Sequence, residues 1–283
     1  MPKIDYETEY DNRARVPEHP AIFARWSRDA AAYREEAAQQ QRAELGILYG
    51  APPRQTIDLF LPAEGGAAPL ALFVHGGWWR SFEPASFSHL ARGLNAHGVM
   101  VALAGYDLCP QVGIGDIAAQ MRQACLYLWQ RFGRRLTVYG HSAGGHLTAC
   151  LVATDWKALN PLAPADLVPA GYAISGLFDL RPLVHVSMNA DFRLDDTEAR
   201  RLSPLFWEVP AGRVLDATVG GLESSEFLRQ SRAIAEAWRK GGAETRYEDV
   251  LGANHFTVLD PLADPDSRAV NRILELVAGA TAR

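Results

Sequence analysis

Apolar and polar residues first alternate regularly over Gln55-Thr56-Ile57-Asp58-Leu59-Phe60-Leu61. A period of two predicts a strand with one face in a core and the other in solvent. Pro62 and the Gly65-Gly66 pair end it. The runs 70–74 and 99–104 are apolar throughout, the pattern of strands covered on both faces. A helical stretch at 86–97 separates them. Along 114–132, Ile117, Met121, Ala124, Leu128 and Phe132 recur near helical spacing and predict a long helix. Further strands are expected at 136–139, 172–175, 214–219 and 245–250, and further helices at 143–153, 227–239 and 267–278. Residues 21–42, behind Pro17 and Pro20, read as a helix in an N-terminal arm (about 1–45) packed on the main body. Strands alternating with helices imply an α/β fold, a mostly parallel sheet with helices on both faces. Such a sheet binds ligands at the C-terminal ends of its strands, so chemistry is expected in the loops leaving those ends.

Composition narrows the class. A chain of 283 residues can form one large domain or two small ones, and 48% hydrophobic residues suit a globular core. The 28 Lys and Arg against 33 Asp and Glu give a net charge of −5 with no basic run, which argues against nucleic acid. No apolar stretch approaches a membrane span and the polar start has no signal-peptide core, so a cytoplasmic protein is expected. Cys109, Cys125 and Cys150 are odd in number and read as small buried hydrophobes rather than a disulfide framework.

One loop carries a reactive pattern. Gly140-His141-Ser142-Ala143-Gly144-Gly145-His146 follows the strand 136–139 and opens the helix 143–153, the setting that Gly-x-Ser-x-Gly requires. The turn is so sharp that only small residues fit two positions either side of Ser142. The serine hydroxyl then projects above the sheet near the positive end of the helix, and the Ala143 N–H is available to an oxyanion. The strand 70–74 ends in His75-Gly76-Gly77-Trp78-Trp79. Its glycines let the N–H groups of Gly76 and Gly77 approach a substrate oxygen, as in the His-Gly-Gly loops of lipases and esterases. His75 is expected to brace the loop rather than act as a base. Trp78 and Trp79 are candidate substrate contacts, with plain packing as the alternative. His141 and His146 do not share a helix face, and no His-Glu-x-x-His pattern exists, so no metal site is expected.

A serine nucleophile needs a base, and the base an orienting carboxylate. The order that accompanies Gly-x-Ser-x-Gly is serine, acid, histidine. Of 8 histidines, only His146, His185 and His255 follow Ser142. His146 lies on the serine's own helix, and His185 in the segment after the strand 172–175. His255, in Gly252-Ala253-Asn254-His255-Phe256 just past the last strand, is the expected base. Glu223, at the end of the strand 214–219, is the favoured acid, and Asp179, one strand earlier, is its competitor. Asp216 and Asp249 lie inside strands, where they are badly placed. Gly113-Ile114-Gly115-Asp116-Ile117-Ala118 imitates a dinucleotide loop but lacks the direct strand connection such a site needs.

Together these motifs resemble the kynurenine formamidase (arylformamidase) group of α/β-hydrolases, close to the esterases and lipases with His-Gly-Gly loops. The resemblance rests on His75-Gly76-Gly77-Trp78-Trp79, on Gly140-His141-Ser142-Ala143-Gly144-Gly145-His146-Leu147 and on the stretch from Glu223 to His255. It extends to Ser187-Met188-Asn189 and Tyr10-Asp11-Asn12-Arg13, and so covers most of the chain. It departs at Glu223, where formamidases usually carry aspartate. The resemblance implies an α/β-hydrolase fold with an eight-stranded sheet. Because the catalytic parts must converge, 1–283 is expected to form one domain, with a small lid at about 177–210. Ser142, Glu223 and His255 would transfer an acyl group to water, with Gly76, Gly77 and Ala143 as the oxyanion hole and no metal or organic cofactor. The implied substrate is an aryl formamide such as N-formylkynurenine, released as formate and the free amine. Phe178, Met188, Phe192 and Trp207 are candidate contacts for its aryl part, or core. A carboxylesterase for short acyl or aryl esters uses the same parts. A silenced, ligand-binding hydrolase fold is a third reading, against which the intact serine, histidine and glycines speak. The partners expected are a small aromatic amide or ester, with a homodimer left open, and neither nucleic acid nor membrane.

Overall fold

The computed structural model describes residues 4–63 and 68–282, so the Gly65-Gly66 turn lies outside it. Eight strands form one sheet in the order β1-β2-β4-β3-β5-β6-β7-β8. They are β1 (Ala43–Leu48), β2 (Thr56–Phe60), β3 (Leu70–Val74), β4 (Met100–Ala104), β5 (Leu136–His141), β6 (Ala170–Ile174), β7 (Val214–Gly220) and β8 (Glu244–Val250). The pairs β1–β2 and β2–β4 are antiparallel, and every other pair is parallel. β3 through β7 are buried along their whole length, as sequences apolar on both faces require.

The arm holds α1 (Tyr6–Tyr10), α2 (Asn12–Arg15) and α3 (His19–Gln39). After β3 come α4 (Arg92–Asn95), α5 (Ile114–Phe132), α6 (Ala143–Val152) and α7 (Trp156–Leu159). Between β6 and β7, where the small lid was expected, lie α8 (Asn189–Phe192) and α9 (Asp196–Arg201). α10 (Ser225–Lys240) follows β7, and α11 (Arg268–Thr281) closes the chain. One core lies between the sheet and α5, α6 and α10. The other lies under α3, α11 and two 3-10 turns, Pro84–Ala91 and Thr257–Ala263.

Three expectations change. β2 is not half in solvent: Ile57, Asp58, Leu59 and Phe60 are all buried. α3 supplies the unforeseen cover. Its Arg34 forms an ion pair with Asp58, and the Gly46 N–H donates to the same carboxylate at 2.8 Å, so the buried charge is compensated. The arm also ends earlier than position 45, at Gln39, and the chain then joins the sheet as the mostly exposed edge strand β1, whose pairing slips between Glu44 and Ile47. The helix expected at 86–97 is a 3-10 turn followed by the short α4. There the Ser88 hydroxyl bonds back to the Ala85 carbonyl at 3.3 Å, the local competition that makes serine a poor helix interior residue. By contrast, Gly113-Ile114-Gly115 is a helix start, where the Gly113 N–H donates to Asp116 at 2.9 Å.

The arm is held where it reaches α10. The Tyr10 hydroxyl donates to Glu226 at 2.8 Å and accepts from the Gln230 amide at 3.0 Å. Glu9 accepts from the Ser225 hydroxyl and the Glu226 N–H, and Glu7 accepts from the N–H and hydroxyl of Ser187. Asp216, inside β7, is matched by a two-pronged bond from Arg272 of α11, at 2.6 and 3.1 Å. Arg272→Ala strands that carboxylate in the core and is expected to destabilise the fold by about 3–5 kcal/mol, read from urea unfolding. Among the described residues no helix is long and apolar enough to cross a membrane.

Candidate active site

Ser142 sits between β5 and α6 with φ of 56°, a left-handed conformation that a serine adopts only when its surroundings enforce it. The turn is tight because α6 lies against the end of β3. A Cβ on Gly144 would collide with the Val74 carbonyl. The Ser142 N–H donates to the Ile174 carbonyl at 2.8 Å, which fixes the turn to β6. Ser142 thereby stands at the N-terminus of a ten-residue helix, the favourable end for developing negative charge.

The loop after β3 closes over this serine. A Cβ on Gly76 would stand 2.8 Å from the His141 carbonyl and 3.1 Å from the Ser142 Cβ, so only glycine allows the approach. Gly77, Trp78 and Trp79 all have positive φ, and the loop is strained. The hydrogen bonds of the described residues leave the N–H groups of Gly76, Gly77 and Ala143 without an acceptor. His75 braces the loop. Its Nδ1 donates to the Gly76 carbonyl at 2.8 Å, and its ring stacks on Tyr106 with centroids 4.3 Å apart. Burial pushes its pKa down to about 4, so it stays neutral.

His255 reaches the site from the loop after β8. Asn254 shapes that loop by accepting the N–H groups of Phe256 and Thr257 at 3.0 and 2.9 Å. The His255 Nδ1 donates to Glu223 Oε2 at 2.6 Å, leaving Nε2 as the basic nitrogen. The other carboxylate oxygen, Oε1, accepts from the Ser175 hydroxyl at 2.5 Å and the Gly220 N–H at 2.7 Å. Two backbone bonds, Gly221 to Val250 and Leu222 to Ala253, tie the acid's loop to the histidine's. Asp179, the competing acid, is elsewhere. Burial works to raise its pKa, but Arg181, bound at 2.9 and 2.8 Å, holds it below the usual value. His141 donates from Nε2 to the His255 carbonyl at 2.8 Å, and His146 donates to the Leu202 carbonyl at 2.8 Å. They point apart and share no site. Burial holds both pKa values down, that of His146 at about 4.

Ser142, His255, Gly76, Gly77 and Trp78 line one small cavity. Trp79, the other candidate substrate contact, is not among its lining residues, so for it the packing alternative holds. It is fully buried, edge-on to His146 and Phe192 with centroids 5.2 and 5.6 Å away. Phe178, Met188, Phe192 and Trp207 do not line it either. His141 and Ser81 also line it, and most of the remaining wall comes from residues that pattern reading did not place there: Asn12, Arg13, Phe23 and Trp26 of the arm, and Phe82, Phe87 and Phe256. The Tyr10-Asp11-Asn12-Arg13 stretch stood out in the sequence, but nothing in its spacing placed it near Ser142. Ser175 was also missed. Its one signal is a small polar residue at the C-terminal end of β6.

The sequence profile of the alpha/beta hydrolase fold family matches residues 71–259. The kynurenine formamidase of Danio rerio is 26% identical over 251 residues, covering 86% of this chain and 85% of that protein. The kynurenine formamidase of Drosophila melanogaster is 27% identical, covering 93% and 92%. A crystal structure from Silicibacter sp. TM1040, described as a candidate thioesterase, superposes with a TM-score of 0.87 at 35% identity, covering 96% of this chain and 100% of its own.

Proposed function

The chain belongs to the alpha/beta hydrolase fold family, and on that premise we propose that it is a serine hydrolase that cleaves an aryl formamide to formate and the free amine. The observation that carries the reading is the Glu223–His255 bond of 2.6 Å beside a cavity that His255 shares with Ser142. His255 Nε2 takes the proton of Ser142 as its oxygen attacks the formyl carbon. The N–H groups of Gly76, Gly77 and Ala143 hold the tetrahedral oxyanion, each contributing about 3–4 kcal/mol to the barrier reduction. His255 then protonates the leaving amine, and water, activated by the same nitrogen, releases formate from the acyl-enzyme. Glu223 keeps Nδ1 protonated and stabilises the imidazolium.

The formamide preference rests on the formamidase relatives, matched along most of their length. The relation to the candidate thioesterase favours a second reading, hydrolysis of short acyl esters or thioesters by the same parts. A panel of N-formylkynurenine with formyl, acetyl and butyryl esters separates the two. The expected order is formamide first and esters falling with acyl length. Activity that rises with acyl length, with none on the formamide, overturns the formamidase reading.

A further inference from the structure

The cavity over Ser142 is walled on one side by the arm, and that wall carries polar groups the reaction itself does not use. Asn12 is 4% exposed, lines the cavity, and its Nδ2 is buried without a hydrogen-bond partner. A buried donor seldom goes without an acceptor, and this one faces a cavity open to substrate. Its neighbour Arg13 also lines the cavity but is exposed. Its guanidinium carbon lies 5.8 Å from the Phe23 ring centroid, and no carboxylate pairs with it among the described residues. The nearby arm arginines are all matched: Arg15 by Glu9, Arg25 by Asp260 and Arg34 by Asp58. No Asp or Glu lines the cavity.

A cation without a counter-ion beside an empty amide donor is a site for an anion, and a guanidinium is suited to a planar carboxylate. We infer that Asn12 and Arg13 form a specificity subsite for a carboxylate on the leaving-group side of the substrate. A formyl group has no atom on which to carry that charge, so the carboxylate belongs to the amine released. The inference rests on the formamidase reading and assigns recognition of the leaving amine's acid group to these two residues of the arm. Arg13 and Asn12 act here by binding, and neither moves a proton.

The test compares N-formylkynurenine with N-formyl-2-aminoacetophenone, which keeps the aryl formamide and ketone but lacks the amino-acid group. Arg13→Gln is expected to lower the kcat/KM preference for the acid over the neutral analogue by about tenfold, through KM, as loss of one charge-assisted contact would. Arg13→Lys should restore part of that preference. Asn12→Asp, which sets like charge against the carboxylate, should lower it further. Arg13 is exposed, so its variants report on binding even if Asn12→Asp folds poorly. If Arg13→Gln shifts both substrates equally, or neither, the subsite is wrong while the formamidase reading stands. If the unaltered protein cleaves neither formamide, the reading falls, and the substrate class inferred here falls with it.

Discussion

Ser142→Ala should lower kcat by about five to six orders of magnitude, the loss met when the nucleophile of such a unit is removed. No cysteine can replace it. The three cysteines are buried, and burial pushes their thiols up, to about 11 for Cys109 and about 12 for Cys150, so none offers a thiolate. Alanine can follow the same turn, since the positive φ of Ser142 is imposed by its neighbours, and the variant should remain folded. Two measurements check this: turnover on the preferred substrate, and intact mass after a fluorophosphonate probe. The unaltered protein should gain one adduct and Ser142→Ala none. A variant that keeps turning over at more than a thousandth of the original rate would remove the acyl-enzyme from the mechanism.

Glu223→Gln is expected to cost about four orders of magnitude in kcat with little change in KM, as for other triad acids made neutral. The shape is kept, but the amide cannot stabilise the imidazolium, and its NH2 can turn His255 to the wrong tautomer. The carboxylate's other oxygen accepts from Ser175 and Gly220, so the amide oxygen can still be held there while the NH2 faces the ring. Asp179→Asn is the control. It weakens the contacts to Arg181 and should leave kcat within about threefold, since it touches no part of the relay. A large loss at Asp179 and a small one at Glu223 would exchange their roles.

Where burial is uniform or strictly periodic, the chain could be read closely. β3 and α5 fall where the apolar run 70–74 and the helical spacing of 114–132 put them. Ser142, Glu223 and His255 could be picked out because each sits at the end of a strand, where chain order and loop position constrain the choice. β1 could not, because its face is exposed and carries no alternation. The burial of β2 was hidden for a related reason: a polar Asp58 looks like a solvent position until Arg34, from a distant element, supplies its counter-charge. Trp78 and Trp79 are adjacent and identical in sequence terms. Only the backbone turn of the loop sends one to the cavity and the other into the core. The arm's share of the cavity is a contact between the two ends of the chain, to which local pattern is blind.

That last contact has a consequence for how activity arises during synthesis. The wall bearing Asn12 and Arg13 leaves the ribosome long before the elements that seat it. The anchors that seat it, Glu226 and Gln230, lie 216 and 220 residues beyond Tyr10. The proposed acid and base, Glu223 and His255, are also late. A nascent chain can therefore complete the turn around Ser142 and still be hydrolytically silent, because its cavity lacks one wall and its serine lacks a base. On the proposed mechanism, reactivity can arise only once the chain through His255 is made and the arm has docked on α10.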